Sequence, residues 1–475
     1  MRKISAFVLM MFVALAISAQ ERRELHILSI NDPHAAIENM PRLGFVADSL
    51  RALYPDLLIL SAGDNRSGDP INDMFEIPAY PMVALMNQIG FHATAVGNHE
   101  FDSAQDGLAR LIDLGTFATL CANMEPDPKW NMHVKPYQLF DCGGITVGVL
   151  GITALGSLGI PESHPNRLKD IKFMDPLETI QKYRFLREKC DVVLLLSHLG
   201  YPTDLKFAPE LPWVDIIVGG HTHTQIEGGE LHDGILITQN MKSMPFCTHS
   251  TLVLEGQKIT EKKAELIAVA GVKRENKTVA ELVRYFSENP AFKRVLAVCE
   301  TPFADKEELG CMVCDAYVAE TGADLAYQNA GGVRIADHPA GDFVVGDVMK
   351  MDPFQNALTE LQVTGKELAE MLISCYDNDK QRFPYVSGMT CEVTINAADG
   401  KISKLVMFDK NGKKLNLKKT YRVVANSYSV AVSPSNRQDP GHNLTITTPE
   451  IIKNYLEHQG KVSYQGRRCL TIVTK

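Results

Sequence analysis

The 475-residue chain contains no run of lysine and arginine, and its formal net charge is −9. Proteins that bind nucleic acid expose a basic surface to the phosphate backbone, so this charge argues against a nucleic acid polymer as the main partner. The chain also has no internal repeat and no low-complexity tract. A hydrophobic content of 45% and a charged content of 22% are those of a soluble globular protein. The length predicts two large domains or three small ones.

Paired cysteines at the spacing of a structural zinc site are almost absent. The ten cysteines are scattered singly, and only Cys311 and Cys314 lie close together. The surrounding stretch ELGCMVCDAYVAE has the pattern of an amphipathic helix, which favours packing over zinc binding, and no second pair supports a zinc site. The sequence assigns no disulfide.

Long apolar runs are confined to the first twenty residues. Arg2 and Lys3 precede ISAFVLMMFVALAIS, and Ala19 offers a small residue before a polar segment. This pattern predicts a signal peptide over residues 1–19, with an uncleaved N-terminal anchor as the alternative. No cysteine follows the apolar run, which argues against a lipoprotein anchor. We expect a periplasmic or secreted protein without a stable membrane span, and the oligomeric state stays open.

From residue 25 onwards, apolar strands that end in polar residues alternate with amphipathic helices. Cys142-Gly143-Gly144 and the segment LEGQ each predict a hairpin, so antiparallel pairs interrupt the parallel pattern. The pattern predicts an α/β domain over 24–268, a linker helix within 269–290 and a second α/β domain over 291–475.

Oxygen and imidazole side chains follow five strands of the first half, where α/β folds build their sites. Each has a simple alternative: Asp32 and Asp64 suit turns, Asn98 suits a helix cap, and His198 suits a satisfied core histidine. Unrelated turns, however, are not expected to select such side chains at every strand end. The candidate metal ligands are Asp32, His34, Asp64, Asn98, His198, His221 and His223.

Seven donors exceed one tetrahedral shell and suit two metals that share a bridging carboxylate. Mixed aspartate, asparagine and histidine ligation favours zinc or manganese over calcium. His99 and Asp102 remain as non-ligands, and an imidazole here can serve a phosphoryl or leaving-group oxygen while Asp102 fixes its tautomer. Glu100 and Phe101 are interpreted as structural neighbours.

The motifs ILSINDPH, LSAGDN, VGNHEFD, LLSHLG and VGGHTHT resemble, in order and spacing, the metallophosphoesterase half of secreted 5′-nucleotidases. Later stretches, NAGGVR, MDPFQN and YVSGM, resemble the C-terminal domain of the same family. The resemblance implies a four-layer α/β/β/α sandwich followed by a second α/β domain that can swing to deliver substrate.

The resemblance also implies a role for each matching residue. Asp32, His34, Asp64 and His223 match the ligands of one metal, while Asp64, Asn98, His198 and His221 match those of the other. His99 and Asp102 match the catalytic dyad. On the substrate side, Asn329 and Arg334 match the ends of a substrate loop.

The substrate half departs from the family pattern. Ala330 replaces a glycine, Leu358 falls where counting places the first of two base-stacking rings, and Phe354 and Tyr385 are interpreted as core residues. No Gly-Gly-Asp-Gly-aromatic motif is evident, which leaves Tyr428 as the nearby ring. Lys306 stands near a position where the family has an arginine.

The sequence therefore predicts a metal-dependent phosphoric ester hydrolase. The leading hypothesis is a phosphomonoesterase that releases phosphate from nucleoside 5′-monophosphates by attack of a metal-bound hydroxide. The alternatives are a cyclic-nucleotide phosphodiesterase, or an esterase acting on a non-nucleotide phosphate or a sulfur ester. A binding protein on an inactive phosphatase fold fits poorly, because every ligand position is filled.

Overall fold

The computed structural model describes residues 22–288, 290–433 and 435–475. The predicted signal peptide over residues 1–19 lies outside these ranges. Among the described residues, no helix combines the length and apolar character needed to cross a membrane.

Two six-stranded sheets form the centre of the N-terminal half. In one sheet the order is β14-β13-β1-β2-β3-β4, and in the other it is β11-β12-β10-β9-β7-β6. The strands are β1 (Arg22–Ile30), β2 (Leu58–Ser61), β3 (Ala93–Ala95), β4 (Ala118–Leu120), β5 (Met124–Pro126), β6 (Tyr137–Cys142), β7 (Ile145–Thr153), β8 (Ile171–Phe173), β9 (Val192–His198), β10 (Ile216–Gly219), β11 (Glu230–His232), β12 (Ile235–Thr238), β13 (Phe246–Glu255) and β14 (Lys258–Ala268). β5 and β8 form a separate antiparallel pair.

The two sheets pack face to face through buried aliphatic side chains such as Ile27, Leu60, Val149 and Leu196. Helices cover both outer faces, so the layers run α/β/β/α, as expected from the sequence. The helices are α1 (Met40–Leu53), α2 (Pro70–Asp73), α3 (Tyr80–Ile89), α4 (Ala104–Leu114), α5 (Pro176–Gln181) and α6 (Tyr201–Phe207).

Within each sheet, the central strands are parallel and their carboxyl ends meet at one edge. β1, β2, β3 and β4 pair in parallel, as do β7, β9, β10 and β12. Antiparallel strands lie at the flanks, including the two predicted hairpins, β6–β7 and β13–β14. The stretch PLETIQKYRFLREK (176–189) has the pattern of one continuous helix, but α5 ends at Gln181 and a separate 3-10 turn follows at Arg184–Glu188.

The helix predicted as a linker is α7 (Lys277–Ser287). It does not stand free between the halves, because Val279 and Phe286 are buried in the same apolar cluster as Leu43 and Met86 of the N-terminal half. The chain crosses to the C-terminal half only after this helix.

The C-terminal half is a second α/β unit with one continuous apolar core. Its five-stranded sheet has the order β19-β16-β22-β18-β23, beside two three-stranded sheets, β17-β15-β24 and β21-β20-β25. The strands are β15 (Val295–Cys299), β16 (Leu325–Gln328), β17 (Gly341–Val344), β18 (Ala357–Thr364), β19 (Tyr385–Ser387), β20 (Met389–Ile395), β21 (Ile402–Asp409), β22 (Thr420–Asn426), β23 (His442–Thr447), β24 (Lys461–Val462) and β25 (Leu470–Thr474). The helices are α8 (Lys306–Thr321), α9 (Val345–Met351), α10 (Gly365–Asn378), α11 (Ser427–Val432) and α12 (Thr448–Gln459).

Local signals account for the ends of the longer helices. The Asp305 side chain accepts from the amides of Glu307 and Glu308 at the start of α8. Thr364 and Glu367 form a reciprocal capping box at the start of α10. These caps satisfy backbone groups that a helix end otherwise leaves unpaired.

Candidate active site

The seven predicted donors converge at the edge where the parallel strands end. Those that follow β1, β2 and β3 come from one sheet, and those at the ends of β9 and β10 come from the other. Five of these residues have a left-handed backbone: Asp32, His34, Asp64, His221 and His223, with φ between 44° and 74°. This conformation is costly for residues other than glycine and concentrates at functional sites, where the surrounding fold maintains it.

One group of donors consists of Asp32, His34 and His223, whose ligand atoms lie within 4.8 Å of one another. The Nε2 atoms of His34 and His223 are 3.1 Å apart, and His223 Nε2 lies 3.5 Å from Asp32 Oδ1. Imidazole nitrogens this close to each other and to a carboxylate form a suitable shell for a divalent cation.

A second group consists of Asp64, His198 and His221, also within 4.8 Å of one another. His198 Nε2 is 3.3 Å from Asp64 Oδ2, and Asn98 Oδ1 is 3.0 Å from His221 Nδ1. Asp64 Oδ2 also lies 3.9 Å from His34 Nε2 of the first group. Asp64 therefore lies between the two groups, where a carboxylate shared by two cations must be.

His198 provides a test of whether the site fits a cation. Its Nδ1 lies 2.6 Å from the carbonyl oxygen of Ala62, which fixes the orientation of the ring. Its buried Nε2 has no well-directed hydrogen bond among the described residues and faces Asp64 Oδ2 at 3.3 Å. A buried polar atom without a partner is costly, and a cation between His198 and Asp64 would satisfy it.

The protonation of His34 and His221 agrees with this fit. Burial, followed by neighbouring positive charges, holds the pKa of His34 and of His221 well below the ordinary value. Neutral imidazole is the form that binds metal. Burial also lowers the pKa of His198, but the Asp64 carboxylate outweighs it and raises this pKa to about 10. A cation bound there must displace the His198 proton.

His99 and Asp102 form the predicted pair within a short 3-10 helix, His99–Ser103. His99 Nδ1 lies 2.8 Å from Asp102 Oδ2, and Arg167 Nη1 donates to the other carboxylate oxygen at 2.9 Å. Burial raises the pKa of Asp102, but the charges of His99 and Arg167 hold it below its ordinary range. The backbone amide of His99 donates to Asp64 Oδ1 at 2.8 Å, which ties the pair to the donor cluster.

Glu100 has a larger part than the sequence indicated. Its buried carboxylate accepts hydrogen bonds from the amides of Asp64, Asn65 and Gly97 at 2.7–2.9 Å. It thus joins the loop after β2 to the loop after β3. No sequence pattern signalled this, because the three amides belong to two separate loops.

The donor cluster opens into a cleft between the two halves of the chain, with an empty volume of about 780 Å³. The three predicted substrate-binding residues, Asn329, Arg334 and Tyr428, all line this cleft. Asn329 Oδ1 accepts from Asn426 Nδ2 at 2.9 Å and from Ser429 Oγ at 3.0 Å, so this side chain also fixes its own loop.

The assignment of aromatic rings requires a correction. Leu358, which counting placed at the first ring position, is fully buried in β18 and does not line the cleft. Phe354, interpreted as core, lines the cleft instead; its ring lies 5.9 Å from the His99 ring at 22° and 5.6 Å from the Arg334 guanidinium carbon. The positive φ of Gln355 turns the chain immediately after it. Tyr385 is buried, as expected.

Other cleft residues were missed by the sequence analysis. Arg167 donates to Asp102 and, at 2.8 Å, to the carbonyl oxygen of Phe354, so it joins the two halves. Asp379, Lys380 and Arg382, in the loop after α10, face the same cleft. The only signal for this loop was its density of charge in DNDKQR.

Cys311 and Cys314 are buried in α8, as the helical pattern predicted. Cys311 approaches Cys469 and Glu307 within 4.8 Å. Glu307 Oε1, however, already accepts from the amides of Cys469 and Leu470, both at 3.0 Å. These contacts hold the C-terminal strand β25 against α8.

Comparisons with known proteins agree with this architecture. The sequence model of calcineurin-like phosphoesterases matches residues 25–225, and that of the 5′-nucleotidase C-terminal domain matches residues 285–433. A 5′-nucleotidase of Vibrio cholerae is 27% identical, with 92% of this chain and 91% of the relative covered. Protein UshA of Yersinia enterocolitica is 26% identical over 84% of this chain and 83% of its own length.

Among solved structures, the 5′-nucleotidase precursor from Thermus thermophilus superposes with a TM-score of 0.82 at 23% identity. The alignment covers 95% of this chain and 99% of that one. This similarity establishes the shared two-part fold.

Proposed function

Because the chain belongs to the 5′-nucleotidase family of metallophosphoesterases, whose two domain models together match most of its length, we propose that it hydrolyses nucleoside 5′-monophosphates to nucleoside and phosphate. The chain is a phosphoester hydrolase of a family that uses divalent metal ions. The convergence of the seven donors around Asp64 is the observation that carries the more specific proposal.

In this proposal the donor cluster would hold two divalent ions, zinc or manganese. Asp32, His34 and His223 would hold one, Asn98, His198 and His221 would hold the other, and Asp64 would be shared. When bound, such a pair would supply an activated water and positive charge for the phosphoryl oxygens. Glu100 maintains the loops that carry Asp64 and Asn98.

His99 acts at the leaving oxygen. Asp102 accepts from Nδ1 and stabilises the protonated ring, so a proton on Nε2 is available to the ester oxygen as its bond to phosphorus breaks. Arg167 donates a hydrogen bond to the second oxygen of Asp102, and its charge, together with that of His99, keeps the carboxylate ionised. The products are a free hydroxyl and inorganic phosphate.

The C-terminal half supplies recognition. Arg334 provides a guanidinium for a phosphate oxygen, and Phe354 and Tyr428 supply aromatic surface for a nucleobase, while Asn329 fixes the loop between β16 and Arg334. Base–aromatic stacking typically contributes about 1–3 kcal/mol per base. We further propose that the protein is exported to the periplasm or secreted.

The test is a substrate panel on purified protein loaded with manganese or zinc. The panel compares AMP and other 5′-monophosphates with cyclic nucleotides, sugar phosphates and a sulfur ester. We expect phosphate release that is fastest with a 5′-monophosphate. Turnover confined to cyclic nucleotides, sugar phosphates or the sulfur ester would identify one of the alternative activities. Absence of turnover on the whole panel would refute the enzymatic proposal.

A further inference from the structure

A sixth strand end, that of β12, supplies no candidate metal ligand but bonds to the segments that carry them. Gln239 and Asn240 follow this strand directly, and they are 2% and 1% exposed. The Gln239 side chain contacts the loop after β10, in one sheet. The Asn240 side chain contacts Ser29 of β1 and Thr248 of β13, in the other sheet. The segment after β12 therefore connects the two sheets beside the donor cluster.

The Gln239 side chain binds the loop that carries His221 and His223. Its Nε2 donates to the carbonyl oxygen of Gly220 at 2.7 Å, and its Oε1 accepts from the amide of Thr224 at 2.5 Å. Because a backbone carbonyl only accepts and a backbone amide only donates, these two bonds determine the orientation of the glutamine amide. Gln239 thus bonds to the backbone immediately before His221 and immediately after His223, and both histidines have a left-handed conformation.

A second set of contacts reaches Asp32 through Asn31. The amide of Asn240 donates to Asn31 Oδ1 at 2.6 Å, and Asn31 Nδ2 donates to Asp32 Oδ2 at 2.7 Å. The amide of His221 donates to both carboxylate oxygens, at 2.9 Å to Oδ2 and at 3.1 Å to Oδ1. Oδ2 thus accepts the two shortest bonds, while Oδ1 lies 3.5 Å from Nε2 of His223. This arrangement leaves Oδ1 as the oxygen available to a cation.

The chain after Asn240 also contacts Asp32 through its backbone. The amide of Ser243 donates to the carbonyl oxygen of Asp32 at 2.8 Å. Ser243 and Met244 both have a left-handed conformation, with φ of 62° and 54°. Such a conformation is costly for residues other than glycine and persists where the surrounding structure maintains it, often at functional sites. The connection between β12 and β13 is therefore held against Asp32 at an energetic cost.

We propose that Gln239 and Asn31 are positioning residues for the metal ligands. Gln239 fixes the loop of His221 and His223, and Asn31 orients the Asp32 carboxylate. The inference rests on the proposed function, because it concerns the cations that the donor cluster would hold. Asn31 acts on one donor group, whereas Gln239 acts on both, because His221 and His223 belong to different groups. Residues that hydrogen-bond a metal ligand typically contribute about 10–100-fold in metal affinity.

The experiment measures the binding of manganese and of zinc to metal-free protein by equilibrium dialysis. We expect wild-type protein to bind two ions. Asn31→Ala should bind one ion with wild-type affinity and the other about 10–100-fold more weakly. Gln239→Glu retains an acceptor for Thr224 but places a carboxylate oxygen against the carbonyl oxygen of Gly220, so both ions should bind about 10–100-fold more weakly. Wild-type affinity for both ions in either variant would overturn the role of that residue.

Metal rescue separates a positioning role from a general loss of stability. At saturating manganese, kcat for p-nitrophenyl phosphate should return to near the wild-type value in both variants, because every ligand is still present. Gln105→Glu is the matched control, since Gln105 is 5% exposed and donates to the carbonyl oxygens of Asn166 and Lys169, which are not candidate ligands. It should lower the melting temperature without changing metal affinity. A variant of Gln239 or Asn31 that stays inactive with both ions bound would contradict a role in metal positioning.

Metal binding also distinguishes failure of this inference from failure of the proposed function. Wild-type protein that binds two ions but releases no phosphate from any nucleotide refutes the proposed function alone, and the affinities of the two variants still decide the positioning roles. Wild-type protein that binds neither manganese nor zinc refutes both.

Discussion

The side of the cleft that carries the candidate metal ligands and its C-terminal side hold their side chains in different ways. On the first side, donors such as Asp32, Asp64 and His198 are almost fully buried at strand ends. The carbonyl oxygen of Ala62 fixes the His198 ring, and Asp32 accepts from the amide of His221. On the second side, Lys380 and Arg382 are exposed on a loop, and Arg334 lies over an aromatic ring without a paired carboxylate among the described residues. In the proposed function the chemistry is therefore built into the ends of the strands, while recognition depends on loops that can change without disturbing the sheets.

The largest effect should come from the carboxylate shared by the two donor groups. Asp64→Asn leaves a neutral group between His34 and His198, so we expect kcat to fall at least about 10⁴-fold. This loss exceeds the roughly 10–100-fold loss expected when a residue that only hydrogen-bonds a metal ligand is removed. Bound metal, measured by mass spectrometry on purified protein, should decrease in parallel. Full metal content with near wild-type turnover would show that Asp64 is not shared.

A variant of His99 tests the catalytic step independently of metal binding on the same side of the cleft. His99→Ala should lower kcat by about 10²–10⁴-fold, the usual contribution of a positioned acid or base, with metal content preserved. Asp102→Asn keeps a partner for Nδ1 and should cost less. A His99→Ala rate within a few-fold of wild type contradicts its assigned role.

A variant of Phe354 tests whether the C-terminal side of the cleft recognises the nucleobase. Phe354→Ala should raise KM for AMP about tenfold and change kcat less, because stacking typically contributes about 1–3 kcal/mol per base. Ribose 5-phosphate, which has no base, serves as the control substrate and should respond less. Equal losses for both substrates would instead indicate that Phe354 positions His99.

The smallest effect concerns a histidine that contrasts with those of the site. His338 is 6% exposed, and its Nδ1 and Nε2 lie 2.8 Å from the carbonyl oxygen of Pro339 and 3.2 Å from Asp347 Oδ2. Burial lowers the pKa of His338, but its hydrogen bonds with Asp347 and Cys299 and the Asp347 charge outweigh burial and raise the pKa to about 10.

Since this folded-state pKa exceeds the unfolded value of about 6.5, the pairing stabilises the protein fully below pH 6.5 and the effect is lost as pH rises through 10. The urea midpoint of wild-type protein should therefore fall more between pH 6.5 and pH 10 than that of His338→Gln. His442→Gln, at an exposed strand residue, should behave like wild type. Identical pH profiles for wild type and His338→Gln would show that His338 is not charged in the folded protein.

Much of the first side could be predicted from the sequence. Strand periodicity located β1, β2, β9 and β10, and parallel strands bring their carboxyl ends to one edge within each sheet, so the donors of each sheet were expected to lie together. The packing of the two sheets decided that the two edges meet. The role of Glu100 in joining the loops after β2 and β3 could not be predicted. Its three amide donors lie in these two loops, whose relative position depends on how β2 and β3 pair.

The second side was predicted less well for a physical reason. Phe354 and Leu358 are four residues apart, and both are apolar, so counting along the chain could not decide which faces the cleft. Only the turn at Gln355 and the register of β18 against β22 place Leu358 in the core and Phe354 in the cleft.

By itself, the sequence determined the α/β class and indicated the seven candidate donors, because these follow from local periodicity and from the residue at each strand end. The tertiary structure decided which residues of the C-terminal half face those donors. Arg334, Phe354 and Lys380 belong to separate segments, and their proximity depends on how the two halves pack, through contacts such as Arg167 with Asp102 and Phe354. No local pattern encodes such contacts between distant segments.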